Sequence, residues 1–382
     1  NGKMIKSDEG DRTKDKTING KYAFDEYGAM VAEWSLDSDD EKEASDNVGH
    51  YAASTNQSVA SVSEAWQGKG NYAQYSKAWK YFNSVEDGAR VSKGWFKVVP
   101  AEYLNEGKYD DDEDFWYYAD GSGNLYAGEF KTIKGKKYAF RNDGRMLTGL
   151  KFILEDDDND NLTVYADDDG TYNFDNEDDF LDNAVDFYEP GGYKCYYFGG
   201  GDDGAMRTNK TTVEIDGENH NFYFEKSGSH KGAGVTGEKD DKLYQSGMLL
   251  KADSDDKYIV VDKTTKYKTV DGQKVLDYVT YNKLDDAKDF MAQDDVLESN
   301  TAVDADGKID LGNNNKKKAE DISEAYTIRY KAYGSSDMTT HEYFLVNTSG
   351  KVIDNRGKNK DGSDYYYVTD NSGKITNIYV ED

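Results

Sequence analysis

The 382-residue chain holds one cysteine, two prolines and four histidines, and its 47 Lys and Arg stand against 76 Asp and Glu for a net charge of −29. Each shortage excludes something. A single cysteine permits no internal disulfide, and Cys195 sits in the aromatic run from Tyr193 to Phe198, where it reads as a small buried hydrophobe on a strand rather than a reactive thiol. Cations this outnumbered exclude a phosphate-backbone binder, because nucleic-acid affinity rests on clustered Lys and Arg. The sequence has no apolar run of the roughly 20 residues that a membrane span needs. His50, His220, His230 and His341 show no metal-ligand spacing, and neither a G-x-S-x-G nucleophile motif nor a phosphate-cradling Gly-rich loop is present. Paired carboxylates can hydrolyse a glycoside, but among 76 acidic residues a pair can always be found, so a pair is no evidence.

Aliphatics are scarce too: Leu, Ile, Val and Phe total 66 of 382 residues. Low aliphatic content with high net charge is the composition of disordered chains, which also have few aromatics. Here 32 Tyr, 15 Phe and 5 Trp accompany 37 Gly. That combination points instead to short β-hairpins packing rings on one another, because each ring buries a large area for few rotatable bonds. The expected fold is all-β, and a repeat array has no single core to limit its length.

The repeat is visible. Residues 17–30, running from Thr17 to Met30, and 132–146, running from Thr132 to Met146, are one unit differing by a residue in length. Each has a Gly-Lys turn, a strand with aromatics two apart, then a second turn ending in Gly that returns the chain to a Met. Weaker copies run from Phe115 to Leu125, Cys195 to Met206, Asn221 to Val235, Leu243 to Met248, Glu342 to Val352 and Asp364 to Ile375. One hairpin is marginal in water, so a run of them must stack.

The order Gly94-Trp95, Phe115-Trp-Tyr-Tyr118, Thr132 to Tyr138 and Asp143-Gly-Arg-Met146 resembles the cell-wall-binding repeats, of choline-binding or glucan-binding type, of Gram-positive surface proteins. The match is close over residues 93–150, good over 17–30, recognisable over 193–262 and loose over 341–382. The resemblance implies an elongated solenoid of stacked β-hairpins. It also implies a secreted, cell-surface protein held to cell-wall polysaccharide, teichoic acid or another glycan. The family's choline sites are aromatic cages, since a quaternary ammonium donates no hydrogen bond and is held by ring quadrupoles. The matching positions are Trp95, Trp116 and Tyr118 for one cage, with Phe130 and Tyr138 for a degraded second. The sequence departs from the family in keeping Gly-Trp only at Gly94-Trp95.

Five segments are expected: partial repeats in 1–35, a helical insertion in 36–92, a hairpin array in 93–262, an irregular mixed segment in 263–340 and terminal hairpins in 341–382. Within the insertion, Tyr72, Tyr75, Trp79 and Phe82 fit one helix face over 71–83; within the array, Phe180, Leu181, Ala184, Val185 and Tyr188 give another short apolar stripe over 178–188. Acidic runs at 110–114, 156–161, 167–170 and 304–310 read as solvated turns. Asp304, Asp306 and Asp310 imitate part of a calcium loop without completing its pattern. The opening Asn1-Gly2-Lys3-Met4 is no signal peptide and reads as the tail of an interrupted repeat, so a fragment of a longer secreted chain is expected. The expected role is non-catalytic anchoring. The alternatives are the non-catalytic part of a glycoside or peptidoglycan hydrolase, and a structural stalk or adhesin without a small ligand.

Overall fold

The computed structural model describes residues 4, 16–18, 21–25, 27–36, 72–102, 104–156, 161–165, 174–284, 290, 296–331 and 334–382. Most of the expected 36–92 insertion and the acidic residues 157–160 and 167–170 lie outside them. Two compact units divide the chain, one of residues 1–173 and 195–207, the other of 174–194 and 208–382. Both units are built mainly of strands.

The first unit is a succession of small antiparallel sheets. Lys16–Ile18, Tyr22–Phe24 and Met30–Val31 form one, and Glu33–Leu36 pairs with Trp79–Phe82. Gly94–Val98 pairs with Phe115–Ala119, and Glu129–Ile133 with Lys136–Phe140. Leu150–Asp156 lies between Asn161–Val164 and Lys194–Tyr197. The repeats at 17–30, 115–125 and 132–146 are therefore hairpins with a short return.

One side-chain device shapes many returns. Asp120 Oδ1 accepts from the backbone N–H groups of Ser122 and Asn124, at 2.7 and 2.9 Å. Asp25, Asp304, Asn347 and Asp370 do the same for the residues two and four positions on. In each case a glycine three positions on donates its N–H back to the carbonyl of the Asp or Asn. A short acceptor side chain thus satisfies backbone donors that a tight turn would leave unpaired.

Turn glycines, with or without such a cap, also lock one hairpin to the next. A Cβ on Gly88 would collide with the Met30 side chain, and one on Gly204 would collide with Met146. Both glycines hold positive φ, 56° and 64°, so backbone conformation and close packing demand glycine together. Arg90 lies against Gly123 and Leu125 against Gly144 in the same way, as do Leu249 against Gly350 and Val352 against Gly373 in the second unit. In every pair the packing residue stands two positions after its own hairpin's turn glycine. Backbone bonds follow the same step: Arg90 donates to Lys21, Met146 to Trp116 and Met206 to Lys137.

The helix expected over 71–83 is shorter. It spans Tyr72–Ala78, and Trp79 and Phe82 belong to the strand Trp79–Phe82. Aromatic residues suit strands, and here the pairing with Glu33–Leu36 brings Trp34 against Trp79 and Tyr81, with ring centroids 6.4 and 5.2 Å away.

The second unit opens with the helix Glu177–Asn183, extended by a π-turn over Ala184–Tyr188 as the 178–188 stripe implies. Asn176 caps it by accepting from the Asp179 N–H, and three acidic residues fill its first turn, where the helix dipole favours them. A five-stranded sheet runs from Asn209–Ile215 to Gly237–Lys239. The segment 263–340, expected to mix strands and loop, contains most of the longest hairpin, Tyr258–Val270 with Gln273–Leu284, to whose free side Thr339–Asn347 adds. A second five-stranded sheet has Ile375–Glu381 as its central strand, between Ile322–Ile328 and Tyr365–Thr369. Val260, Tyr343, Leu345, Ile375 and Ile378 meet in the core there.

Candidate functional site

The hairpin Gly94–Val98 and Phe115–Ala119 pairs Trp95 with Tyr118 and Lys97 with Trp116. Because strand side chains alternate, these four share one face, while Phe96 and Tyr117 share the other. The two faces differ in exposure. Phe96 and Tyr117 are 9% and 0% exposed and pack in a core with Tyr75, Trp79 and Leu104. Trp95, Trp116 and Tyr118 are only half-buried.

Trp95 is the centre of the half-buried group. Its ring meets Trp116 at 6.3 Å and Tyr118 at 5.1 Å, both edge-on. It also meets Tyr138 of the next hairpin at 4.9 Å and stacks on Phe140 at 5.8 Å. Phe140, Met146 and Ile133 form the buried floor beneath these rings. Tyr126, which the sequence reading did not single out, stacks on Tyr118 at 5.2 Å and belongs to the same cluster. Its signal was its place directly after the return residue Leu125, on the opposite side of the chain from the core.

The expected division into two sets is not the one found. Tyr138 joins Trp95, whereas Phe130 packs on Tyr196 and Phe198, at 5.2 and 6.5 Å. The reason is the alternation within Glu129–Ile133 and Lys136–Phe140: Phe130 pairs with Ala139, and Lys131 with Tyr138, so the two rings leave the hairpin on opposite faces.

The rings already hold ammonium groups. Lys97 Nζ is 6.0 Å from the Trp116 ring centre, Lys131 Nζ 5.2 Å from that of Tyr126, and Lys137 Nζ 4.4 Å from that of Phe130. Lys97 also donates to the exposed Asp202 carboxylate at 2.9 Å, and that hydrogen bond holds the Asp202 carboxyl below its usual range. Burial, followed by the charge of Asp203, pushes the Tyr138 phenol up, and burial does the same to Tyr126. Both phenols therefore stay neutral donors at ordinary pH. The cluster offers flat apolar faces, O–H donors and a nearby carboxylate, which suits sugar rings or alkylammonium groups.

The acidic turn proposed for calcium is built differently from a cation loop. Asp304 uses Oδ1 for the N–H groups of Asp306 and Lys308, and Oδ2 pairs with Lys316 at 3.0 Å. Asp310 accepts from the Gly312 N–H. Among the described residues no group of three or more His, Cys, Asp or Glu is arranged to hold a metal ion. Nor, among them, is any helix long and apolar enough to cross a membrane.

No family model matches the sequence, and no curated protein matches it. Solved structures similar to the chain include choline binding protein F from Streptococcus pneumoniae with a peptidoglycan analogue, at 17% identity and TM-score 0.30, covering 66% of this chain and 52% of that one. The modular Cpl-1 endolysin with a peptidoglycan analogue is 17% identical at TM-score 0.23, covering 58% and 46%. The modular autolysin LytC from Streptococcus pneumoniae with a synthetic peptidoglycan ligand is 15% identical at TM-score 0.16, covering 68% and 50%. The chain spans about half the length of these proteins. Choline-binding proteins are thus among its structural neighbours, as the resemblance of residues 93–150 implies.

Proposed function

We propose that this chain is a non-catalytic, secreted anchoring module that holds a cell-wall polysaccharide, teichoic acid or another glycan at the Gram-positive cell surface. The observation that carries this reading is the contrast between the two faces of one hairpin. Phe96 and Tyr117 are fully packed, while Trp95, Trp116 and Tyr118 stay half-open beside Tyr138 of the following hairpin. Rings needed only for packing would be buried like their neighbours. Large aromatic surface left partly open is costly unless something stacks on it.

The hairpins are read as successive turns of an elongated solenoid, a reading supported within each unit by the turn-glycine contacts from one hairpin to the next. A single stacking or cation-π contact contributes about 0.5 to 2 kcal/mol, so useful anchoring depends on several repeats engaging one polymer at once.

The test is Trp95→Ala with Trp116→Ala, scored by circular dichroism and by retention on purified Gram-positive cell walls and on choline resin. Lost retention in a folded variant supports the reading. Unchanged retention overturns it, and turnover of wall glycan by the chain alone would assign an enzyme instead.

A further inference from the structure

The second unit contains a cleft of about 530 Å³ that the anchoring reading does not use. It lies on the sheet of Gln273–Leu284, Tyr258–Val270 and Thr339–Asn347, and its volume falls in the range of about 300–1,000 Å³ typical of small-ligand sites. We propose that this cleft binds a neutral oligosaccharide. The inference goes beyond the anchoring reading, since it concerns other residues in the other unit and takes its ligand class from its own lining.

Three features of that lining carry it. One wall is apolar: Tyr267 pairs with Leu276 and Thr265 with Val279 across the hairpin. Leu276 is 55% exposed, a high value for a large aliphatic side chain in the middle of a strand. The ammonium of Lys274 lies 4.2 Å from the Tyr267 ring centre and donates to the Ser335 and Asp337 carbonyls, so the ring is pinned in place.

The floor, in contrast, is hydroxylic. Thr265 and Thr340 stand opposite each other in register, both 9% exposed, and neither hydroxyl has a hydrogen-bond partner among the described residues. Their hydroxyls line the cleft, where a ligand with its own donors and acceptors can reach them.

The charged groups of the rim are already engaged with partners. Glu342 is bound by both Lys263, at 2.7 Å, and Lys374, and Lys331 lies 3.6 Å from Asp337. An ion entering the cleft would have to break one of these pairs, whereas a neutral ligand would not. A sugar ring has an apolar C–H face for Tyr267 and Leu276 and hydroxyls for the two threonines and Glu342.

The experiment titrates the full chain with chitotetraose, with maltotetraose and, as an anionic control, with tetragalacturonate, followed by saturation-transfer NMR and calorimetry. At least one neutral sugar should bind in the millimolar range, more tightly than the galacturonate. Tyr267→Ala and Thr340→Val should each weaken that binding about tenfold. The titrations of wild-type and variant clefts are run in the Trp95→Ala, Trp116→Ala background, where the ring cluster adds no sugar binding of its own, so failure at the ring cluster and failure at this cleft are read separately. If Tyr267→Ala does not fold, Leu276→Asp at its exposed position replaces it with the same expectation. Absence of neutral-sugar binding, tighter binding of tetragalacturonate, or undiminished binding in folded Tyr267→Ala or Leu276→Asp overturns the proposal.

Discussion

Arg145 and Asp143 are bonded to each other twice across a single turn: Arg145 Nε donates to Oδ2 at 2.7 Å, and the Arg145 backbone N–H donates to Oδ1 at 3.1 Å. Both side chains are buried, and Asn105 donates to the same Oδ2 at 2.7 Å. Arg145 also lies over the Phe115 ring, 4.8 Å from its centre. The pair therefore ties the turn after Lys136–Phe140 to the hairpin that carries Trp95.

Removing one partner of such a pair strands the other. Asp143→Asn should cost about 3 to 5 kcal/mol, read by urea unfolding of the full chain. Burial pushes the Asp143 carboxyl up, but Arg145, Arg141 and the Asn105 amide outweigh it and leave it below its ordinary value. A carboxylate depressed on folding contributes stability that is complete above its unfolded value, about 3.9, and is lost as pH falls through its folded value. Asp143→Asn should accordingly flatten the wild-type loss of stability below about pH 4.

The glycine lock predicts a rescue. Gly204→Ala places a Cβ against Met146 and should destabilise the first unit, whereas Gly204→Ala with Met146→Ala should recover part of the loss. The positive φ of Gly204 keeps the recovery incomplete. A double-mutant cycle from unfolding curves should give a coupling of about 0.5 to 3 kcal/mol, and zero coupling would break the lock as described.

His220 supplies a pH dependence of its own. It is 9% exposed, its Nε2 has no hydrogen-bond partner among the described residues, and its Nδ1 lies 3.7 Å from Glu177 Oε2. Burial holds its pKa below the usual histidine value. A histidine kept neutral by folding contributes stability that is present above its unfolded value, about 6.5, and lost as pH falls below it. Wild-type melting temperature should thus drop between pH 7 and pH 5. His220→Phe should remove much of that slope, along with the cost of about 1 to 3 kcal/mol for a stranded buried polar atom.

The Asx-capped turns predict a distinction between two variants of one residue. Asp304→Asn keeps an oxygen for the Asp306 and Lys308 N–H groups and should be close to neutral, while Asp304→Ala frees both donors and should cost about 1 kcal/mol or slightly more. Since both Asp304 oxygens are already engaged, thermal melts in millimolar calcium and in chelator should rank the variants identically.

The hairpins were legible because two local signals coincide in the clearest copies, aromatics spaced by two and a following turn that ends in Gly. The 71–83 stripe misled because Tyr72, Tyr75, Trp79 and Phe82 fit a helix face, whereas the competing partner of Trp79–Phe82 is the strand Glu33–Leu36, far away in the chain. Local periodicity carries no trace of such a pairing. The site residues were legible as a set of rings, but not their grouping. Whether Tyr138 faces Trp95 or Phe130 is decided by the register of Glu129–Ile133 on Lys136–Phe140 and by the step between hairpins. The unpaired threonines of the cleft carried no signal at all, since Thr265 and Thr340 meet only through the pairing of Tyr258–Val270 with Thr339–Asn347.

The contact between a return residue and the next turn glycine ignores how much chain lies between them. Leu125 reaches Gly144 after one hairpin, while Leu249 reaches Gly350 only after the longest hairpin and, among the described residues, five further strands. Whatever leaves and comes back to the same docking point is compatible with the lock, so new sequence can be grafted between hairpins without touching the surface that joins them. A lineage built this way can keep its joints while its spacing drifts, and the joints then hold a likeness that a fixed repeat length would no longer register.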